Sequence, residues 1–165
     1  MQKILFVIHS LAGGGAEKVL INLVNHMDQT RFDITVLSIL GGGINAKSLA
    51  SHIHYRVIFP KSFPGNSHIM KLFTPKQLHK LFIKEHYDFE ISYLEGSTAR
   101  LVSGCSDPET RLISWIHVEQ HNMKKLAYAF RSPQEAKWCY NRFDQTVSVS
   151  EFVKNDFCKI LNFTK

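Results

Sequence analysis

Four places in the sequence carry residues suited to chemistry. The first is a run of three glycines, Gly13, Gly14 and Gly15, in HSLAGGGAEK at 9–18, with Glu17 just after it. A bare backbone lets another molecule come close, and the amides that open a following helix favour phosphate or carboxylate. The same glycines also suit a tight turn chosen for steric reasons alone, and Glu17 is as well placed to stabilise a helix dipole as to touch a ligand. The second is His117, at the end of RLISWIH. A histidine gives or takes a proton near neutral pH, although one packed and satisfied by backbone is the plainer alternative. The third is Glu95-Gly96 after EISYL, placed either to meet a ligand or to form a surface loop. The fourth is Lys76, Lys80 and Lys84, four residues apart. On one helical face these like charges repel unless something anionic neutralises them; a solvated face is the alternative.

Spacing also excludes chemistry. Gly13 and Gly15 supply two positions of G-x-G-x-x-G, but Lys18 stands at the third, and the strand TVLSIL ends without an acidic residue. AGGGAEK does not meet the G-x-x-x-x-G-K-[ST] pattern either. Nine histidines are scattered without an H-E-x-x-H or a Cys/His cluster, and the close pairs His52/His54 and His117/His121 read as incidental, so no metal is expected. Three cysteines, Cys105, Cys139 and Cys158, include no C-x-x-C and suit a reducing compartment better than a disulfide framework.

These residues need elements to position them. ILFVI at 4–8 is apolar throughout, as a strand buried on both faces should be. In 16–27, Val19, Leu20, Leu23, Val24 and Met27 recur at helical spacing, and FDITVLSIL at 32–40 is a second strand. The opening is thus a right-handed βαβ unit. Beyond it, GGGIN at 41–45 reads as a flexible connection, 54–60 as a strand, and KSFPGNSH as a surface loop. Residues 74–87 predict a helix capped by Thr74 and started by Pro75, with Leu78, Leu81 and Phe82 as its apolar face. Then come a strand at 88–96, a short helix, a strand at 111–119, a helix at 132–143 started by Ser132-Pro133, the strand QTVSVS and a final helix capped by Ser150. Trp115 and Trp138 read as core. The alternation predicts an α/β fold with a doubly wound, mostly parallel, Rossmann-like sheet, whose ligands sit at the carboxyl ends of the strands.

Composition sets the outer bounds. The 165 residues fit one domain, 44% are apolar and 21% charged, and no apolar run is long enough to span a bilayer. MQKILFVIHS reads as a core strand rather than a signal peptide. The net charge of +6 points to an anionic partner: nucleic acid, a phosphorylated substrate or a membrane surface. No RNA- or DNA-binding motif is present, so nucleic acid is the least favoured. Lys61, Phe63, Lys71 and Phe73 lie just before the lysine helix and extend a basic, aromatic-flanked patch suited to an anionic bilayer or a lipid phosphate.

KILFVIHSLAGGGAEKVLINLVNHMD with FDITVLSIL after it resembles the opening of the family 4 retaining glycosyltransferases of the GT-B fold. RLISWIHVEQH is similar to the strand that ends in that family's N-domain histidine, and TVSVSEFVKNDF to the strand and helix that close the N-terminal domain. The resemblance spans essentially the whole chain. It implies that residues 1–165 are the Rossmann-like, acceptor-side N-terminal domain of a two-domain enzyme. The C-terminal nucleotide-sugar-binding domain, with its basic pair and glutamates, would be absent from this sequence and would be the chain's partner. On the resemblance, Gly13, Gly14 and Gly15 pack against the donor's diphosphate or sugar, His117 hydrogen-bonds the donor sugar, and Glu95-Gly96, unless only a surface loop, contact the acceptor. The expected reaction moves a sugar from a nucleotide-diphosphate donor to a glycan or lipid-linked glycan. It needs no cofactor and proceeds in the cytoplasm, at the inner face of the plasma membrane where the acceptor is lipid-linked. This domain alone should not be a competent transferase. Half of a sugar-nucleotide epimerase of the same fold, or a non-catalytic module binding an anionic membrane or glycan, are the competing expectations.

Overall fold

The computed structural model describes residues 1–61 and 66–163. Its elements run β1 (Gln2–Ile8), α1 (Gly15–His26), β2 (Phe32–Leu40), β3 (His54–Phe59), α2 (Asn66–Leu72), α3 (Pro75–Phe82), β4 (Phe89–Ser92), α4 (Ser97–Val102), β5 (Arg111–Ile116), α5 (Met123–Leu126), α6 (Pro133–Asn141), β6 (Gln145–Ser148) and α7 (Glu151–Leu161). Short 3-10 turns lie at Ile44–Ser48 and Ala127–Ala129. All strand pairs are parallel, in the order β3-β2-β1-β4-β5-β6. The doubly wound α/β sheet expected from the sequence is what forms. The strand order reverses between β1 and β4, which opens a crevice at their carboxyl ends.

β1 shows why its sequence has no alternation. Ile4, Phe6 and Ile8 enter one core with Leu20, Ile21 and Val24 of α1, while Leu5 and Val7 enter the opposite core with Leu78, Leu101 and Val102. A third cluster packs α6 and α7 around Tyr140 and Phe157. Arg100 is buried on α4; it pairs with Glu135 of α6 (Nε to Oε2, 2.9 Å) and donates to the carbonyls of Met70 and Phe73 (2.8 and 2.5 Å). It thereby ties the α2–α3 turn to α4 and α6.

Several expected boundaries shift. The helix expected over 74–87 begins with the full Thr74–Gln77 capping box but stops at Phe82. Ile83 turns extended and is buried with Tyr87, so the chain covers the core here while descending to β4. Lys84 therefore leaves the helix, and Leu81 is exposed rather than part of an apolar face. Val19 also points outward, and Ile21 takes its place in the core. Trp138 is 42% exposed, its ring under the Arg142 guanidinium (5.2 Å), which corrects its assignment to the core. The connection at 41–45 is packed and runs into a 3-10 turn rather than being flexible. Half of the loop expected at 61–68, residues 62–65 with Phe63, falls outside the described residues, and its last three residues begin α2.

Candidate functional site

The carboxyl ends of β1, β4 and β5 bring three of the four sequence candidates together. β5 ends at Ile116, so His117 is the first residue beyond the strand. Its ring lies against Tyr93 (centroids 4.8 Å apart) and nearly parallel to Trp115 (6.1 Å). Its Nε2 is buried and has no hydrogen-bond partner among the described residues. An unsatisfied buried nitrogen costs on the order of 1–3 kcal/mol, a deficit that a ligand hydroxyl can remove. Burial holds the His117 pKa below the ordinary histidine value, with Glu95 and Glu17 partly opposing the shift. The imidazole is thus neutral at pH 7, and Nε2 either donates or accepts according to tautomer.

Glu95 explains how His117 is held. Its Oε1 accepts from the backbone amides of both His117 and Val118, the second at 2.8 Å. On the far side of the same loop, Asp156 of α7 accepts from the amides of Gln120 and His121 (2.7 and 3.1 Å). Two carboxylates therefore fix the segment that follows β5. Gly96 has φ +79°, which glycine adopts without strain; it opens α4, and its N–H donates to the Tyr140 hydroxyl at 3.2 Å.

The glycine run opens α1. Gly14 is its N-cap with no side-chain hydrogen bond, and the amides of 15–17 have no partner among the described residues. A β-carbon at Gly13 or Gly15 would meet no neighbour within 4 Å, and one at Gly14 would meet only the Glu17 carboxylate. Glu17 thus folds back over the start of α1 and acts electrostatically on His9 and His117. Both residues at the end of β1 and the start of α4 also meet here: His9 Nδ1 lies 3.3 Å from Ser97 Oγ, and burial keeps the His9 pKa below normal. His9 was not among the sequence candidates. Its position directly after the central strand was the available signal.

The lysines do not join this site. Lys76 and Lys80 are exposed on α3, and Lys84 is exposed beyond its end. Exposed Leu72 and Phe73 lie beside them in the chain, and Lys71 ties this segment to Tyr128, donating to its carbonyl at 2.6 Å with the ammonium over its ring. A cavity of about 750 Å³ lies elsewhere, along the β6 edge between α6 and α7. It is lined by Tyr140, Phe157 and Phe163 and holds neither of the histidines at the strand ends. One carboxylate–histidine group near the site, Glu119, His121 and Asp156, has metal-ligand spacing, but Asp156 already serves two amides there.

Among curated proteins no match is found. The family model described as Glycosyltransferase Family 4 matches residues 13–165, from the glycine run through α7 and including every residue of the site after His9, and the chain belongs to that family.

Proposed function

We propose that this domain is the acceptor-side half of a retaining glycosyltransferase that transfers a hexosyl group from a nucleotide-diphosphate sugar to a hydroxyl of a glycan or lipid-linked glycan. The observation that carries this reading is the orphaned Nε2 of His117, beside an uncapped helix N-terminus whose glycines leave open space. The two features offer complementary recognition: free amides and a helix dipole for a diphosphate, and an imidazole for a sugar hydroxyl. Glu95 positions the histidine through the backbone, and its second oxygen remains to meet the acceptor beside Gly96. The diphosphate is held mainly by a second Rossmann-like domain facing this one across the cleft. The chain alone therefore binds UDP- or GDP-sugars more weakly than micromolar, and a micromolar titration would contradict that division of labour. The direct test is sugar transfer by the two-domain enzyme: His117→Ala should lower kcat by roughly 10²–10⁴-fold. Unchanged turnover would overturn the reading.

The exposed pairing of Lys76 and Lys80 with Leu72, Phe73 and Tyr128 supports a membrane-linked acceptor. Among the described residues no helix is long and apolar enough to cross a membrane, and the contact proposed for these side chains is with a membrane surface. At about 1 kcal/mol per basic residue near an anionic surface, Lys76→Ala with Lys80→Ala should weaken binding to phosphatidylserine vesicles by at least tenfold. Equal recruitment of both proteins would reduce the patch to a solvated face.

A further inference from the structure

The sheet face opposite α1 buries a polar group that the candidate site does not use. Glu90, on β4, has a side chain only 1% exposed and lies on the same face of the sheet as the core of Leu5, Val7 and Leu78. His79 reaches it from α3, with Nε2 2.9 Å from Oε1 and 2.8 Å from Oε2, and is itself 13% exposed. Cys105, buried in the turn after α4, completes the group. One ligand atom from each of the three lies within 4.8 Å of the other two.

We propose that His79, Glu90 and Cys105 form a binding site for one divalent cation of the zinc class. The donor set is an imidazole nitrogen, a carboxylate oxygen and a thiolate sulfur, which zinc accepts together, whereas magnesium and calcium demand oxygen. Zinc–ligand bonds of about 2.0–2.3 Å place tetrahedral donor atoms roughly 3.3–3.8 Å apart. The present separations, 2.8 Å at the shortest and 4.8 Å at most, bracket that spacing. Charge also balances: one thiolate and one carboxylate neutralise a divalent cation beside a neutral imidazole, as burial requires. Without the cation, a proton between His79 and Glu90 keeps the pair together. Metal binding displaces it along with the thiol proton, so uptake releases protons and strengthens as pH rises.

The surrounding chain keeps the ligands in place independently. Arg142 donates to the carbonyls of Ser103 and Cys105 (2.6 and 2.5 Å), and Thr110 Oγ1 donates to the Tyr87 carbonyl at 2.7 Å. Gly104 lies so close to the Pro75 backbone that a side chain there would collide with it. A bound cation would fasten α3, with its exposed Lys76 and Lys80, to the sheet. This inference does not depend on the transferase reading.

The test is cobalt and zinc titration of the chelator-treated chain. One cation per chain is expected, with a near-ultraviolet thiolate-to-cobalt charge-transfer band that zinc abolishes and with measurable proton release. Cys105→Ser should remove the band and weaken cobalt binding at least tenfold while circular dichroism stays native, whereas Cys158→Ser should leave both unchanged. No cation uptake by the folded wild type would reduce the group to a buried ion pair and overturn the proposal. So would a band that survives Cys105→Ser, or binding lost only in His121→Ala, which would place the cation at Glu119, His121 and Asp156.

Discussion

The chain contains two triplets of glycine, and they answer to different demands. At 41–43 the protein itself requires them. A β-carbon at Gly41 would stand 2.7 Å from the Pro60 carbonyl oxygen, Gly42 has φ +79°, and a β-carbon at Gly43 would run into the Leu11 backbone. That close approach lets Asn45 donate to Leu11 (3.1 Å), while Leu40 donates to His9 (2.8 Å), so the second triplet braces the loop that carries the first. At 13–15 the protein's own atoms crowd almost nothing: two of the three positions face open space, the third faces the end of a movable Glu17, and only the φ of +159° at Gly13 favours glycine. Identical letters thus mark a packed support and an unfilled surface. The tight-turn explanation of glycine fits the triplet at 41–43, while the unfilled triplet at 13–15 lies beside His117 and His9.

Substitutions should separate the two. Gly43→Ala has the largest expected cost, about 3 kcal/mol, because backbone rather than a side chain must yield; urea unfolding measures it, and a loss below about 1 kcal/mol would break the contrast. Gly96→Ala should cost about 1–2 kcal/mol, since it forces a side chain into a left-handed φ and toward the Ala129 β-carbon at 3.1 Å. Gly15→Ala should change stability by less than about 0.5 kcal/mol. On the proposed function it should nevertheless lower kcat/KM for sugar transfer by at least tenfold, about 1.4 kcal/mol. Unchanged transfer would make the first triplet an idle turn. The smallest effect is on pH dependence. His9 and His117 have folded pKa values held below the unfolded one, so they contribute no penalty above pH ~6.5 and destabilise as pH falls below it. Relative to a His9→Gln, His117→Gln variant, the wild type should lose stability between pH 7.5 and 5.5, and that loss should shrink in pyrophosphate, because an anion at the α1 amides raises both pKa values. In the cation-free protein His79 runs the other way. Burial opposes its charge, but hydrogen bonds to Cys105 and Glu90 outweigh that and push its pKa up to about 9, so its contribution is full below pH ~6.5 and fades toward pH 9.

What could be read from the sequence follows sequence distance. β1, α1 and β2 announce themselves through local apolar pattern, and Thr74, Ser132 and Ser150 cap the helices they were expected to cap. The helix expected over 74–87 stops at Phe82 because Ile83 and Tyr87 are buried from an extended path, which drops Lys84 from α3. The role of Glu95 was illegible: a carboxylate gripping backbone amides 22 and 23 positions later leaves no mark in residue type. His79, Glu90 and Cys105 escaped for the same reason. Local ligand spacing is what a metal motif looks like in sequence, and these three meet only after α3, β4 and the turn beyond α4 have packed.

The central place of β1 has a consequence for assembly of the chain. It pairs with β2, close in sequence, but also with β4, and Lys3 and Asp88 exchange backbone and carboxylate hydrogen bonds across 85 positions. During synthesis the β1–β3 half can close early, while the Ile4–Val7 edge that β4 will cover waits for some of the slowest, longest-range contacts of the sheet. Until then a strand apolar on both faces stays unpaired along one side, a ready template for a neighbouring nascent chain. Ribosome pausing between β3 and β4 should therefore be the most aggregation-prone interval in making this protein.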